Sequence, residues 1–199
     1  MSTEQRIRIG LFVFDGCEEL DVVGPYDVLA SWAHHGRSGS EVVTFSTDGR
    51  AVRCAKGLGL VPDTDAAGAE DVHVLVYPGG QGTRVLMQDE EHLAWVRRMR
   101  ARTPLVASVC TGSLVLAAAG LLAGRPATTH WASLDRLAEI DPSIQVDREA
   151  RFVDDGDVVT SAGVSAGIDM ALHLVARLDS VEAARGVRRG IQYDPQPPL

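Results

Sequence analysis

Of the residue runs that could carry chemistry, Ser108-Val109-Cys110-Thr111-Gly112 asks most of its surroundings. It is a nucleophile-elbow pattern with cysteine in place of serine. Small residues on either side let the backbone turn sharply from a strand into a helix, leaving the side chain at the rim of a sheet. A thiol at a helix N-terminus gains from the dipole and from free N–H groups, so the pattern predicts a lowered pKa and a nucleophilic thiolate. The competing reading is a buried cysteine packed as a small hydrophobe. The strand-turn-helix context favours the reactive one.

Pro78-Gly79-Gly80-Gln81-Gly82 follows an apolar run directly, and successive glycines let backbone N–H groups converge on an anion. Alone the run is equally a tight turn. Beside an elbow cysteine it predicts an oxyanion site built from Gly79, Gly80 and Thr111. Acid candidates cluster past the first strand: Asp15, Glu18, Glu19 and Asp21. Asp21 is the best of them, because Leu20 and Val22-Val23 frame it and an apolar setting lets a carboxyl keep its proton for acid catalysis.

Gly163-Val164-Ser165-Ala166-Gly167 is a literal G-x-S-x-G, which raises an α/β-hydrolase reading with Ser165 as nucleophile. That fold needs an acid and then a histidine after the serine. The only later histidine, His173, lies two turns along the same helix and cannot reach back. Ser165 is therefore read as a helix N-cap. His130, beside Trp131, is placed around the site rather than at its centre. No histidines stand at metal-ligand spacing, so no metal is expected.

These residues need a scaffold of strands that stop and helices that start. Ile7 to Phe14 and Val72 to Tyr77 read as buried strands, ending at Asp15-Gly16 and Pro78-Gly79. Leu105 to Val109 is a third, with Cys110 directly after it and an alanine- and leucine-rich helix over Gly112 to Leu122. Glu41 to Ser46 and a segment around Leu58 to Val61 are brief strands. Gly24-Pro25 predicts a helix start with proline in its first turn, running to His34-His35. Asp89 to Arg102 and Ser165 to Leu178 have helical spacing. Asp154-Asp155-Gly156-Asp157 marks a hairpin, and Asp179 with Glu182 resembles a capping box. Residues 193–199 hold three prolines, an extended tail. The reading is α/β: one three-layer sandwich over residues 1–199, a mostly parallel sheet with helices on both faces and sites at the strand ends.

With 199 residues, the chain is long enough for a substantial core. Its 19 Lys and Arg against 27 Asp and Glu give a net charge of -8, which repels a phosphate backbone and argues against nucleic acid. No apolar run is long enough for a signal peptide or a membrane span, which predicts a cytoplasmic protein. Cys17, Cys54 and Cys110 form no even set and no C-x-x-C pair, so neither disulfides nor structural zinc is expected.

Taken together, Glu18-Glu19-Leu20-Asp21-Val22-Val23-Gly24-Pro25, Tyr77-Pro78-Gly79-Gly80, the cysteine elbow, Ala127-Thr128-Thr129-His130-Trp131 and residues 161–169 resemble the ThiJ/PfpI superfamily. The likeness covers nearly the whole chain and implies the class I glutamine-amidotransferase-like sandwich. It also implies that the acid past the first strand, here Asp21, hydrogen-bonds the elbow cysteine. Protease-like members carry histidine after the cysteine; Thr111 stands there instead, so a peptidase would lack its base. Residues 110–116, the Ala127–Trp131 run and Gln192-Tyr193-Asp194-Pro195 are similar to the isonitrile (isocyanide) hydratase branch. That likeness implies a homodimer acting on a small molecule without a cofactor. Gly163 and Val164 would line its pocket. Sensor domains fused to AraC-type DNA-binding regions share the Cys-Thr-Gly and Thr-His-Trp runs. A glyoxalase-like reaction and a non-catalytic small-molecule or redox sensor therefore stay open beside hydration.

Overall fold

The computed structural model describes residues 6–35 and 40–195. The chain runs through β1 (Arg8–Phe12), α1 (Glu19–His35), β2 (Glu41–Ser46), β3 (Val52–Arg53), β4 (Gly59–Leu60), β5 (Thr64–Asp65), β6 (Val74–Tyr77), α2 (Thr83–Leu86) and α3 (Glu90–Arg102). It continues with β7 (Leu105–Val109), α4 (Gly112–Ala118), β8 (Pro126–Ala127), α5 (Leu134–Ile140), β9 (Gln145–Val146), β10 (Phe152–Asp154), β11 (Val158–Ser161), α6 (Ala166–Leu178) and α7 (Val181–Gly190).

Seven strands form one sheet in the order β10-β11-β7-β6-β1-β2-β5. Every pairing is parallel except the β10–β11 hairpin. Every residue of β6, β7 and β11 is buried, as a central strand covered on both faces requires. Helices α1, α6 and α7 pack on one another; α2, α3 and α5 each pack on α4 as a second group. The expected α/β sandwich is thus the observed one. Its most useful property is order. Strands β11, β7, β6 and β1 are consecutive neighbours, so the loops leaving their carboxyl ends converge on one rim.

Three local expectations need correction. Helix α1 begins at Glu19, six residues before Pro25, so the proline lies inside the helix and not in its first turn. Pro25 has no N–H to give the Asp21 carbonyl, a loss at one position that the packed helix absorbs. Helix α4 ends at Ala118 rather than Leu122, and a turn with Gly120 at φ +80° closes it. The brief strand expected around Leu58 to Val61 is β4, which pairs with β3 as a two-residue antiparallel ribbon. Ser180, not Asp179, caps α7 by accepting from Ala183 N, while the Asp179 carboxylate accepts from Trp32 Nε1 at 2.9 Å. In the proline-rich tail, Tyr193 to Pro195 have no regular structure and 196–199 lie outside the described residues. No helix is long and apolar enough to cross a membrane, among the described residues.

Candidate functional site

Cys110 stands between β7 and α4 at φ +56°, a left-handed conformation that costs a non-glycine residue about 1 kcal/mol or more. Main-chain bonds hold it there. Its N–H donates to the Ser161 and Ala162 carbonyls at 3.1 and 3.2 Å. Its own carbonyl accepts from Thr129 Oγ1 at 2.8 Å and Ser113 Oγ at 3.1 Å. Gly112 completes the turn, since a Cβ there would overlap the Tyr77 carbonyl. A second strained residue faces the first: Val164, β-branched, sits at φ +50°. The N–H groups of Thr111 and Val164 both hydrogen-bond the Cys110 sulfur and favour its thiolate.

Burial separates the four acid candidates. Asp15 accepts from Arg53 N at 2.7 Å, Glu19 accepts from Lys56 N at 2.7 Å, and Glu18 is bonded to Lys56 Nζ. Asp21 alone is fully buried. Its Oδ2 accepts from Gly79 N at 2.9 Å, and the Cys110 thiol is its side-chain hydrogen-bonding partner, the contact that the family resemblance implies. Burial, with the charge of Glu18 added, pushes the Asp21 carboxyl up to about 7. The thiol departs from expectation: burial first, then the Asp21 charge, push Cys110 up to about 12. The amides at the helix start lower it, but by less than those two effects raise it. Cysteine and acid therefore titrate as a pair. Moving one proton from sulfur to carboxylate removes the repulsion that keeps the thiol protonated, and the thiolate then forms beside a carboxylic acid.

The two glycines are already engaged. The Gly79 amide holds Asp21, and the Gly80 amide donates to Thr111 Oγ1 at 3.0 Å. A Cβ on Gly79 would crowd Thr111 N and Asp21 Oδ2, so glycine is what lets acid and elbow approach. His130 borders the site with its ring against Gly163, where any Cβ would overlap it, and its Nδ1 accepts from Ala132 N at 3.3 Å. Burial, then the charge of Arg84, lower its pKa, which favours a neutral ring. Above the sulfur lies a cavity of about 270 Å³ lined by Glu18, Lys56, Arg84, Cys110, His130 and Val164, among others. All the site residues singled out in the sequence thus gather at one rim. Lys56, Arg84 and Thr129 were missed. Thr129 lies inside the Thr-Thr-His-Trp run, whereas Lys56 and Arg84 carry no local signal. Ser165 is exposed and stands at the N-cap position of α6 as expected, but its side chain makes no capping bond. Among the described residues, no cluster of three or more His, Cys, Asp or Glu is placed to hold a metal ion.

Two outcomes follow from this geometry. Cys17 and Cys54 are buried against each other, Sγ to Sγ 3.6 Å, and burial raises both thiols. Only Cys110 lines the cavity. Timed iodoacetamide labelling, read by peptide mass, is expected to modify Cys110 well before the other two. The second outcome concerns stability. The unfolded Asp21 carboxyl ionises near its usual 3.8 and the folded one near 7, a gap worth about 4 kcal/mol. Because the folded value is raised, the penalty is absent below the unfolded value, grows between the two, and is complete above about 7. Asp21→Asn is therefore expected to gain stability relative to wild type at pH 8 and not at pH 3.5. Denaturant melts at both pH values check this.

Residues 7–177 match the model of the DJ-1/PfpI family. The chain is 41% identical over 193 residues to an isonitrile hydratase from Pseudomonas putida, covering 97% of this chain and 81% of that one. It is 32% identical over 151 residues to the HTH-type transcriptional regulator GbdR of Pseudomonas aeruginosa, covering 76% of this chain but only 41% of the regulator. The crystal structure of a ThiJ/PfpI family protein from Pseudomonas syringae superposes with a TM-score of 0.88 at 36% identity, covering 98% of this chain and 78% of that one. The fold read from the strand ends, the match along the sequence and the superposition agree: this chain belongs to the DJ-1/PfpI family.

Proposed function

We propose that this chain is a cofactor-independent isonitrile hydratase, converting R–N≡C and water into the formamide R–NH–CHO. The observation that carries the reading is the pairing of an elbow thiol with one fully buried carboxyl raised to about 7. The likeness to an isonitrile hydratase supports the substrate class. The terminal carbon of an isonitrile accepts a nucleophile and a proton at the same atom. Cys110 thiolate adds to that carbon, and the Asp21 carboxyl gives it the proton, leaving a thioimidate, R–N=CH–S–Cys110. The Asp21 carboxylate then takes a proton from water as the water adds. Asp21 returns that proton to the nitrogen; the hydroxyl proton then passes to the Cys110–Asp21 pair as C=O forms and the C–S bond breaks, which releases the formamide and restores the pair's single proton. The Thr111 and Val164 amides steady the sulfur's charge in the attacking and leaving states. Gly79, Gly80 and Thr111 Oγ1 position acid and elbow, and His130, Gly163 and Val164 shape the pocket. The enzyme works as a homodimer, which sedimentation velocity checks.

The test is turnover of a small panel of isonitriles, with methylglyoxal offered to the same preparation. Formamide from the isonitriles supports the hydratase; lactate from methylglyoxal alone moves the chemistry to an α-oxoaldehyde. The likeness to a regulator favours one second reading, a sensor that binds without turnover. It is the correct one if neither substrate is consumed while a ligand raises the melting temperature equally in wild type and Cys110→Ser.

A further inference from the structure

Two cations reach into the cavity above Cys110, and they are differently employed. Lys56 is bonded to Glu18 and lies 3.8 Å from Glu19, so its charge is met. Arg84 has no such partner: among the described residues, no carboxylate stands within ion-pair distance of it. Its Nη1 donates to the Gly80 carbonyl at 2.9 Å, with Thr83 Oγ1 at 3.4 Å, which tethers the guanidinium to the turn beside the elbow. Nε and Nη2, the edge of the guanidinium that grips a carboxylate with two parallel bonds, have no acceptor among the described residues. The cation acting on Asp21 is Lys56, whereas Arg84 acts across the cavity on His130. Arg84 therefore serves neither the acid nor a structural ion pair. Its charge faces the space a substrate would fill, in a chain whose net charge is -8.

We infer that Arg84 is an anion anchor and that the substrate carries a carboxylate close to the carbon Cys110 attacks. This rests on Cys110 as the nucleophile and narrows the isonitriles to the α-isocyano carboxylate class. An apolar isonitrile would leave the guanidinium without a partner on the substrate, while a carboxylate a few atoms from the reacting carbon would pair with it and fix the carbon's approach. Arg84 is then a specificity residue that binds, apart from the bond-making steps.

Two alkylating reagents of nearly equal size test this without requiring turnover: iodoacetate carries a carboxylate, iodoacetamide does not. Both rates are measured at Cys110 by peptide mass and expressed as a ratio, normalised to the same ratio on a free small thiol. Any effect of Arg84 on the thiol itself enters both rates and cancels. Replacing Arg84 with glutamine is expected to lower the iodoacetate-to-iodoacetamide ratio by about fivefold, the scale of one partly screened charge pair at contact. Arg84→Lys should recover only part of it, because an ammonium keeps the charge and loses the fork. In a parallel arm, KM for isocyanoacetate should rise in Arg84→Gln more than KM for its methyl ester.

A ratio equal in wild type and Arg84→Gln overturns the anchor even if isonitriles are turned over. A ratio that falls while no isonitrile is consumed keeps the anchor and removes the hydratase reading. If neither reagent modifies Cys110 in the folded protein, the anchor and the nucleophile fall together.

Discussion

Cys110→Ser is expected to lose at least about 1,000-fold in isonitrile turnover while its circular dichroism and melting stay close to wild type. The loss follows from the ionisation the reaction needs. Even at about 12 the thiol is within reach of a neighbouring carboxylate that accepts its proton, whereas an alcohol ionises several orders of magnitude less readily. The fold is spared because main-chain bonds hold the strained backbone of residue 110, and a serine hydroxyl can still accept from the Thr111 and Val164 amides that bond the sulfur. The bonds to Ser161, Ala162, Ser113 and Thr129 are made through its N–H and carbonyl, and serine adopts φ +56° no less easily than cysteine. Melting curves and turnover on the same preparations check both halves. Retained turnover would move the nucleophile elsewhere; a collapsed fold would contradict the account of how the elbow is held.

Asp21→Asn should cost on the order of 100-fold or more in turnover, and Glu18→Gln less than about tenfold. Asp21 is the buried partner of the thiol, and asparagine keeps an acceptor for the Gly79 amide while removing the transferable proton. Glu18 contributes charge to the cavity wall and is paired with Lys56. The pH dependence carries the sharper signature. Below about 7 the pair holds two protons, one on carboxyl and one on sulfur, and no nucleophile. Above it the pair holds one, and the arrangement of thiolate beside carboxylic acid is accessible at every pH up to the second loss. kcat/KM of wild type should therefore rise through about pH 7 and level off. Glu18→Gln removes a negative charge that raises the Asp21 pKa, so its rise should move to lower pH. In Asp21→Asn that rise should vanish. A profile in Asp21→Asn that still climbs through pH 7 would assign the titration to another group.

The parts of the site that could be read in the sequence are those where a local backbone rule applies. The β7-Cys110-α4 turn is spelled out by an apolar run, a small residue on each side of the cysteine, and a glycine where a Cβ would meet the Tyr77 carbonyl. Asp21 was legible as a carboxylate framed by apolar neighbours, although Pro25 misplaced the helix start: proline favours a first turn, yet a packed helix tolerated it one turn further in. The thiol's pKa departs from the helix-terminus pattern for a different reason. Helix-terminus donors are visible in a sequence, but burial and a carboxylate brought from another element are tertiary facts. The same holds for Val164, whose positive φ no β-branched residue advertises, and for Lys56 and Arg84, which reach the cavity from the β3–β4 turn and the short helix α2.

One measurement bears most directly on Cys110 as the covalent centre. Wild-type protein is labelled with one equivalent of iodoacetamide, the modified residue is identified by peptide mass, and formamide production from isocyanoacetate and from a neutral isonitrile is followed in labelled and unlabelled samples. The account expects the label on Cys110 and residual turnover that falls in direct proportion to its occupancy, reaching zero at full modification. Formamide formed at the unlabelled rate by protein fully alkylated at Cys110, or no formamide from either isonitrile with the unlabelled protein, would contradict it.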